Sequence, residues 1–134
     1  MNDNNYKHAE MTEQVIKAFY KVYNVLGYGF LEKVYENALC IELKKLGFDV
    51  EKQQPIEVYY EDIIVGKYYA DLIVNDIVIL ELKAAKNISY EHESQLVNYL
   101  KATDIEVGLL LNFGESPQVK RKVYSNGPRI NLID

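Results

Sequence analysis

The most constraining feature of the chain is an uninterrupted apolar run near its middle, Ile77-Val78-Ile79-Leu80, which leads directly into Glu81. Side chains of a strand alternate between its two faces, so a run without a polar break predicts a strand covered on both faces. Such a strand needs packing elements above and below it. The run therefore favours an α/β fold in which helices cover both faces of a central sheet.

The hydrophobic period changes twice along the chain. Helical spacing of apolar residues predicts helices over residues 10–26, 30–46 and 90–103. Residues with high β-propensity predict strands over residues 48–50, 56–60, 63–65, 68–74, 77–83, 107–112 and 129–133. This order predicts a mixed central β-sheet flanked by helices.

Length, charge and cysteine content narrow the class of protein. The 134 residues suit one domain over residues 1–134, with residues 1–8 as a flexible tail. A net charge of -5 argues against coating nucleic acid by bulk charge, although it allows a local basic face. Cys40 is the only cysteine, so no internal disulfide forms and no zinc spacing exists. The polar N-terminus and the lack of a long apolar run predict a cytoplasmic protein that does not enter a membrane.

Two acids and a lysine interrupt the two most apolar strands. Asp71 lies in one strand of a predicted hairpin, while Glu81 and Lys83 lie two residues apart in the other and therefore share a face. Burial of unpaired charges is expensive, so something must compensate them. Two converging carboxylates form a hard-oxygen site suited to Mg²⁺ or Mn²⁺, with the backbone carbonyl of Leu82 as a further ligand. Such a site suits phosphodiester hydrolysis, with Lys83 polarising the attacking water.

A structural ion pair between Lys83 and one acid is the plainer interpretation of these residues. The register of the hairpin bears on the choice. A strict two-residue turn at Asn75-Asp76 places Asp71 opposite Leu80 and turns the two carboxylates to opposite faces. The metal-site interpretation therefore predicts a three-residue loop or a β-bulge between the strands.

Several motifs in order resemble one nuclease superfamily. Asp71, nine further residues and then Glu81-Leu82-Lys83 resemble the core motif of the PD-(D/E)XK superfamily, with Ala70 in place of the usual proline. The segment Gly29-Phe30-Leu31-Glu32-Lys33-Val34-Tyr35 is similar to the GxxExxY motif that names one family in it. Gln95-Leu96-Val97-Asn98-Tyr99 resembles the Gln-x-x-x-Tyr element of the RecB-like and lambda-exonuclease-like branches. Gln53 and the run Asn112-Phe113-Gly114 also look like that family, and the resemblance covers roughly residues 12–125.

This resemblance implies a restriction-endonuclease-like core and a set of site residues. The implied metal ligands are Asp71, Glu81 and Glu32, and the implied catalytic residues are Lys83, Gln95 and Glu32. Tyr99, one helical turn after Gln95, would support Gln95 and bind the nucleic acid. Glu32 also suits a plain surface position at a helix start, where the dipole favours a carboxylate, and this alternative stays open.

A basic run and a histidine are further candidates. Lys120, Arg121 and Lys122 are the best candidates for phosphate contacts, because their charge opposes the sign of the chain's net charge. A solvated charge run explains them equally well. His92 lies between two glutamates at a predicted helix start, and a solvated helix face is favoured there over a catalytic base.

Three hypotheses of function result. The first is a Mg²⁺- or Mn²⁺-dependent nuclease that hydrolyses phosphodiester bonds, in DNA rather than RNA. The second is a catalytically silent nuclease-fold protein that binds nucleic acid or a protein partner, which the low basic charge favours. The third is a structural domain that forms a homodimer through a tyrosine-rich sheet edge.

Overall fold

Three helices and five strands follow one another along residues 8–125, which are the residues that this computed structural model describes. The helices are α1 (Ala9–Leu26), α2 (Glu32–Lys45) and α3 (Tyr90–Lys101). The strands are β1 (Val50–Tyr60), β2 (Ile63–Val74), β3 (Val78–Lys83), β4 (Val107–Phe113) and β5 (Pro117–Val123).

The strands form one mixed sheet in the order β1-β2-β3-β4-β5. β3 and β4 are parallel and are connected by α3, whereas the other neighbouring strands are antiparallel. The helical period of residues 90–103 and the strand period on either side of it produce this crossover. The predicted mixed sheet flanked by helices is confirmed.

Helices cover the central strands on both faces, as the apolar run predicted. Leu72, Leu80 and Leu82 pack with α1 and α2 in one core. Ile79 and Leu110 pack with α3 in a second core on the other face. Every residue of β4 is buried, and so is every residue of β3 except Lys83.

A tyrosine fixes the connection between the first two helices. Gly27 follows α1 with a φ of 68°, a conformation that glycine adopts without steric cost. The Tyr35 hydroxyl donates a hydrogen bond to the Gly27 carbonyl at 2.7 Å and accepts one from the Phe30 N–H at 3.2 Å. The Tyr35 ring stacks on Phe113 with centroids 4.2 Å apart. α2 consequently begins at Glu32, two residues later than predicted.

The hairpin between β2 and β3 has the three-residue loop that the metal-site interpretation required. Val74 pairs with Val78, and residues 75–77 form the loop. Asn75 and Asp76 both adopt positive φ, and the Asn75 side chain accepts a hydrogen bond from the Asp49 N–H at 2.7 Å. This register places residue 71 opposite residue 81, so that prediction is confirmed.

Several predicted strand limits are wrong. Residues 48–50 and 56–60 were separate predictions, but β1 runs through Pro55 without a break. An edge strand tolerates proline because one side of it donates no ladder hydrogen bonds. Residues 63–65 and 68–74 likewise form one strand, β2. β5 was not predicted, because its charged run lacks strand periodicity; charges of this kind are common on edge strands.

Two predictions fall partly or wholly outside the described residues. They are the strand at residues 129–133 and the flexible tail at residues 1–8, of which only His8 is described. Within residues 8–125, no helix combines the length and the hydropathy that crossing a bilayer requires.

Candidate functional site

A gap opens where β2 and β3 stop pairing. Their ladder contains three residue pairs and ends at Leu72 opposite Leu80. Beyond this point β2 pairs only with β1, whereas β3 continues beside β4 as far as Lys83 opposite Asn112. The two strands therefore separate at Asp71 and Glu81, and the backbone groups that face the gap need other partners.

The side chains of the two acids supply those partners. The Asp71 N–H donates a hydrogen bond to Glu81 Oε2 at 2.8 Å. The Leu82 N–H donates one to Asp71 Oδ2, also at 2.8 Å. Each carboxylate thus bridges to the opposite strand, and the two acids meet in the gap.

Burial and mutual repulsion act strongly on this pair. Glu81 is only 7% exposed, and burial together with the charge of Asp71 raises its pKa to about 8. The positive charge of Lys83 opposes this shift with a smaller effect. The pKa of Asp71 is also raised, first by burial and then by the negative charges of Glu36 and Glu32. Burial and the neighbouring acids therefore disfavour the charged form of both carboxylates.

The Leu82 backbone contributes a further oxygen to the same gap. The N–H and C=O of one strand residue point to the same side of the strand. Because the Leu82 N–H reaches Asp71, its carbonyl also faces the side of the gap.

Glu36 and Gln53 adjoin the site, although no role for Glu36 was predicted from the sequence. Glu36 is 5% exposed on α2 and pairs with Lys33 at 3.1 Å. The Gln53 amide donates to Glu36 Oε1 at 3.0 Å and to Asp71 Oδ1 at 3.3 Å. Gln53 has a φ of 50° within β1. The available sequence signal was the spacing of four residues from Glu32, which places both glutamates on one helix face.

Glu32 itself lies at the exposed start of α2. Its negative charge raises the pKa of both Asp71 and Glu81, so it acts on the gap through space. No hydrogen bond or ion pair to Glu32 occurs within residues 8–125.

A cleft of about 330 Å³ adjoins the gap on the side of α3. Its lining residues are Glu81, Lys83, Glu91, His92, Gln95 and Tyr99. The Gln95 amide donates a hydrogen bond to the Tyr99 hydroxyl at 3.1 Å. Burial and the charge of Glu81 raise the pKa of Tyr99. The cleft brings together four of the predicted residues, and it also includes His92, which the sequence placed on a solvated face.

Lys83 lines this cleft, next to Glu81. Among residues 8–125, no ion pair joins Lys83 to Asp71 or Glu81. The geometry therefore gives no support to the structural ion pair.

The basic run does not form one patch. Residues alternate sides along β5, where Val119 packs toward α1 and α2 while Lys122 pairs with Glu93 of α3 at 2.6 Å. Lys120 and Lys122 consequently face α3, and Arg121 faces the other way. Lys122 lines a groove on the flank of α3 that does not include the cleft residues.

Asn112 holds the segment that follows Lys83. It is fully buried, accepts a hydrogen bond from the Ala85 N–H at 2.9 Å and donates one to the Ala85 carbonyl at 2.9 Å. Its amide also donates to Gln118 at 3.0 Å. At Gly114, a Cβ would lie 2.1 Å from the Ala85 oxygen. The run Asn112-Phe113-Gly114 therefore fixes the backbone on the C-terminal side of the cleft.

The oxygen set in the gap fits a hard divalent cation. Within residues 8–125, no three His, Cys, Asp or Glu side chains converge closely enough to form a cage around an ion. Mg²⁺ does not need such a cage, since it keeps several waters and binds one or two carboxylates together with substrate phosphate. Asp71, Glu81 and the Leu82 carbonyl suit this pattern.

Comparison with known proteins agrees with this geometry. The family model described as the PD-(D/E)XK nuclease superfamily matches residues 9–123. The solved structure titled "Crystal structure of SSO0001" is similar with a TM-score of 0.55 and 20% sequence identity, over 89% of this chain. The match spans 60% of that structure's chain, and at this identity the likeness concerns the fold. A search of curated proteins gives no match.

Proposed function

Because the chain belongs to the PD-(D/E)XK nuclease superfamily, we propose that it is a Mg²⁺- or Mn²⁺-dependent nuclease that hydrolyses phosphodiester bonds, in DNA rather than RNA. The observation that carries the proposal is the pair of buried carboxylates in the strand gap, Asp71 and Glu81, beside a cleft that contains Lys83. The family supports a nuclease-type function. The metal, the substrate and the roles of single residues are the proposed part.

Asp71, Glu81 and the Leu82 carbonyl hold the metal in this proposal. A divalent cation there supplies Lewis-acid stabilisation of phosphate charge and lowers the pKa of a bound water. The raised pKa of Glu81 supports the assignment. A nearby cation offsets both the cost of burying the charged carboxylate and its repulsion by Asp71. Glu32, at the exposed start of α2, contributes negative charge to the site through space and not as a third carboxylate ligand.

Glu36 and Gln53 position Asp71. The Gln53 amide links the two carboxylates through hydrogen bonds of 3.0 and 3.3 Å and thereby restricts the orientation of the Asp71 side chain. Residues that orient a metal ligand in this way contribute about 10- to 100-fold to metal affinity or activity.

Lys83 and Gln95 act on the reacting phosphate. The Lys83 ammonium carries three donors and a positive charge, so it orients the attacking water and offsets charge that develops on the phosphate. The Gln95 amide, hydrogen-bonded to Tyr99 within the same cleft, aligns the phosphodiester. Tyr99 holds Gln95 in place and contacts the nucleic acid. Lys120 and Lys122, on the side of β5 that faces α3, contact the nucleic-acid backbone farther from the cleft, whereas Arg121 lies on the opposite side of the strand.

Two finer assignments accompany this proposal. Membership of the GxxExxY family is supported by Glu32 and by Tyr35, whose hydroxyl bridges the loop before α2. A cytoplasmic location is supported by Cys40, a buried free thiol that suits a reducing compartment.

A nuclease assay with matched variants tests the proposal. Labelled single-stranded and duplex DNA and RNA are incubated with Mg²⁺ or Mn²⁺ and the wild type, D71N, E81Q or K83M. We expect metal-dependent cleavage that falls by at least about 100-fold in each variant. Glu51→Gln is the control, since Glu51 is an exposed acid of β1 outside the gap. Cleavage that persists in D71N and E81Q would refute the mechanism.

Binding without cleavage is the second candidate function. The net charge of -5 and the pairing of Lys122 with Glu93 favour a protein partner for such a module, because both weaken the binding of nucleic-acid phosphate. Calorimetric titration with Mn²⁺ separates the candidates. The nuclease proposal expects one binding event that D71N abolishes, whereas a silent binding module need not bind metal.

A further inference from the structure

His92 lies in the cleft, where the proposed nuclease mechanism gives it no task. It is half-buried on the first turn of α3 and lines the cleft together with Glu81, Lys83 and Gln95. A histidine on a solvated helix face would not line a cleft with these residues.

The helix cap fixes the imidazole ring. The His92 N–H donates a hydrogen bond to Ser89 Oγ at 3.1 Å, and the Ser89 N–H donates one to His92 Nδ1 at 3.1 Å. This is a capping box in which histidine takes the position usually held by Glu or Gln. The ring therefore cannot turn freely about its own side-chain bonds.

The same hydrogen bonds determine which ring nitrogen is a donor. A backbone N–H can only donate, so Nδ1 must present its lone pair to Ser89. The hydrogen of the neutral ring then lies on Nε2. Within residues 8–125, this Nε2–H donates to no protein group, so it is available to a ligand in the cleft.

We propose that His92 Nε2–H donates a hydrogen bond to a non-bridging phosphate oxygen of the nucleic acid in this cleft. The inference rests on the proposed nuclease function and adds a phosphate-binding residue to it. The cleft contains the acids Glu81 and Glu91, which repel a phosphate, so neutral donors with fixed orientation contribute to binding there. His92 acts on the substrate and not on the metal.

Two substitutions separate this role from the capping role. Glu and Gln both accept the Ser89 N–H in a capping box, so H92E and H92Q both preserve the start of α3. Gln also carries N–H donors, whereas Glu places an anion where the phosphate binds. We expect H92Q to stay within a few-fold of wild type and H92E to lose about 10- to 100-fold in affinity for a labelled oligonucleotide with Ca²⁺, and in cleavage with Mg²⁺.

Two controls accompany these variants. Asn24→Glu adds the same charge to an exposed position of α1, which packs on the face of the sheet opposite α3, and we expect little change. The Mn²⁺ affinity of H92Q, measured without nucleic acid, should equal that of the wild type. Equal oligonucleotide affinity in H92E and H92Q would overturn the proposal, because a capping residue alone predicts that result.

Imidazole ¹⁵N NMR gives an independent readout. The chain has two histidines, and H92Q removes one set of signals and assigns the other to His8. With Ca²⁺ present, a thymidine dinucleotide should shift the Nε2 signal of His92 and leave that of His8 unchanged. An unshifted His92 signal in a protein that binds and cleaves DNA overturns only this inference. Failure of the wild type to bind or cleave any nucleic acid overturns both proposals.

Discussion

Replacement of Glu81 by glutamine should remove a pH dependence of stability that the wild type shows without metal. The pKa of Glu81 in the folded protein is raised from 4.5 to about 8, whereas the unfolded chain retains the ordinary value. Between these two values the folded state holds a proton that the unfolded state has released. Unfolding therefore releases a proton, and the free energy of unfolding falls as the pH rises through this window.

The expected size follows from that shift. The slope is about 1.4 kcal/mol for each pH unit, so the wild type should lose up to about 4 kcal/mol between pH 5 and pH 8. A domain of this size is stabilised by about 5 to 15 kcal/mol, so the loss is large enough to measure. Glu81→Gln carries no charge at either pH. It should show little slope and should be more stable than the wild type at pH 8.

Urea unfolding followed by circular dichroism at several pH values measures this difference. The titrations are made with a chelator present, and Glu51→Gln is the exposed control that should retain the wild-type slope. Addition of Mn²⁺ at pH 8 should restore stability to the wild type but not to the glutamine variant. A wild-type stability that stays level from pH 5 to pH 8, or an equal slope in Glu81→Gln, would show that the titration of Glu81 does not produce this pH dependence.

Three further substitutions test the elements around the site. Gly114→Ala should cost about 1 to 3 kcal/mol in urea unfolding, because the new Cβ meets the Ala85 oxygen at 2.1 Å. Gly66→Ala is its control and should be tolerated, since its nearest neighbour is a tyrosine ring at 3.4 Å that can shift. Asn112→Ala should destabilise by about 3 kcal/mol, because it empties a fully buried position and leaves the part-buried N–H and carbonyl of Ala85 unpaired; a loss below about 0.5 kcal/mol would contradict the role of Asn112 in holding this segment. Glu36→Gln should weaken Mn²⁺ binding by about 10-fold in calorimetry, and an unchanged affinity would remove Glu36 from the site.

The sequence predicted the architecture in the segments where burial imposes a regular hydrophobic pattern on the residues. The run at residues 77–80 predicted a strand covered on both faces, and the helical spacing around it predicted the layers. It failed at the sheet edges, where the period is weak: β1 runs through Pro55, and β5 contains a charged run. An edge strand is held by one neighbour and by hydrogen bonds that do not depend on side-chain type, so its sequence carries little signal.

The candidate site divides in a similar way. Asp71, Glu81 and Lys83 were identifiable because they place charge inside apolar strands, and the three-residue loop followed from the need to bring the acids together. The sequence carried only a weak signal for Glu36, its spacing of four residues from Glu32, and favoured a solvated helix face for His92. The roles of these two residues depend on which helix faces pack near the gap, and helical spacing alone does not specify those faces.

The sequence by itself determined the layered fold and the three polar residues at its centre, because hydrophobic period and the cost of buried charge are local properties of the chain. Only the tertiary structure decided that β2 and β3 separate at Asp71 and Glu81, and that α3 brings His92 and Gln95 to the cleft. It also placed Lys120 and Lys122 on one face of β5 and Arg121 on the other. Contacts between elements distant in sequence depend on the packing of the whole sheet with its helices, so no segment specifies them alone.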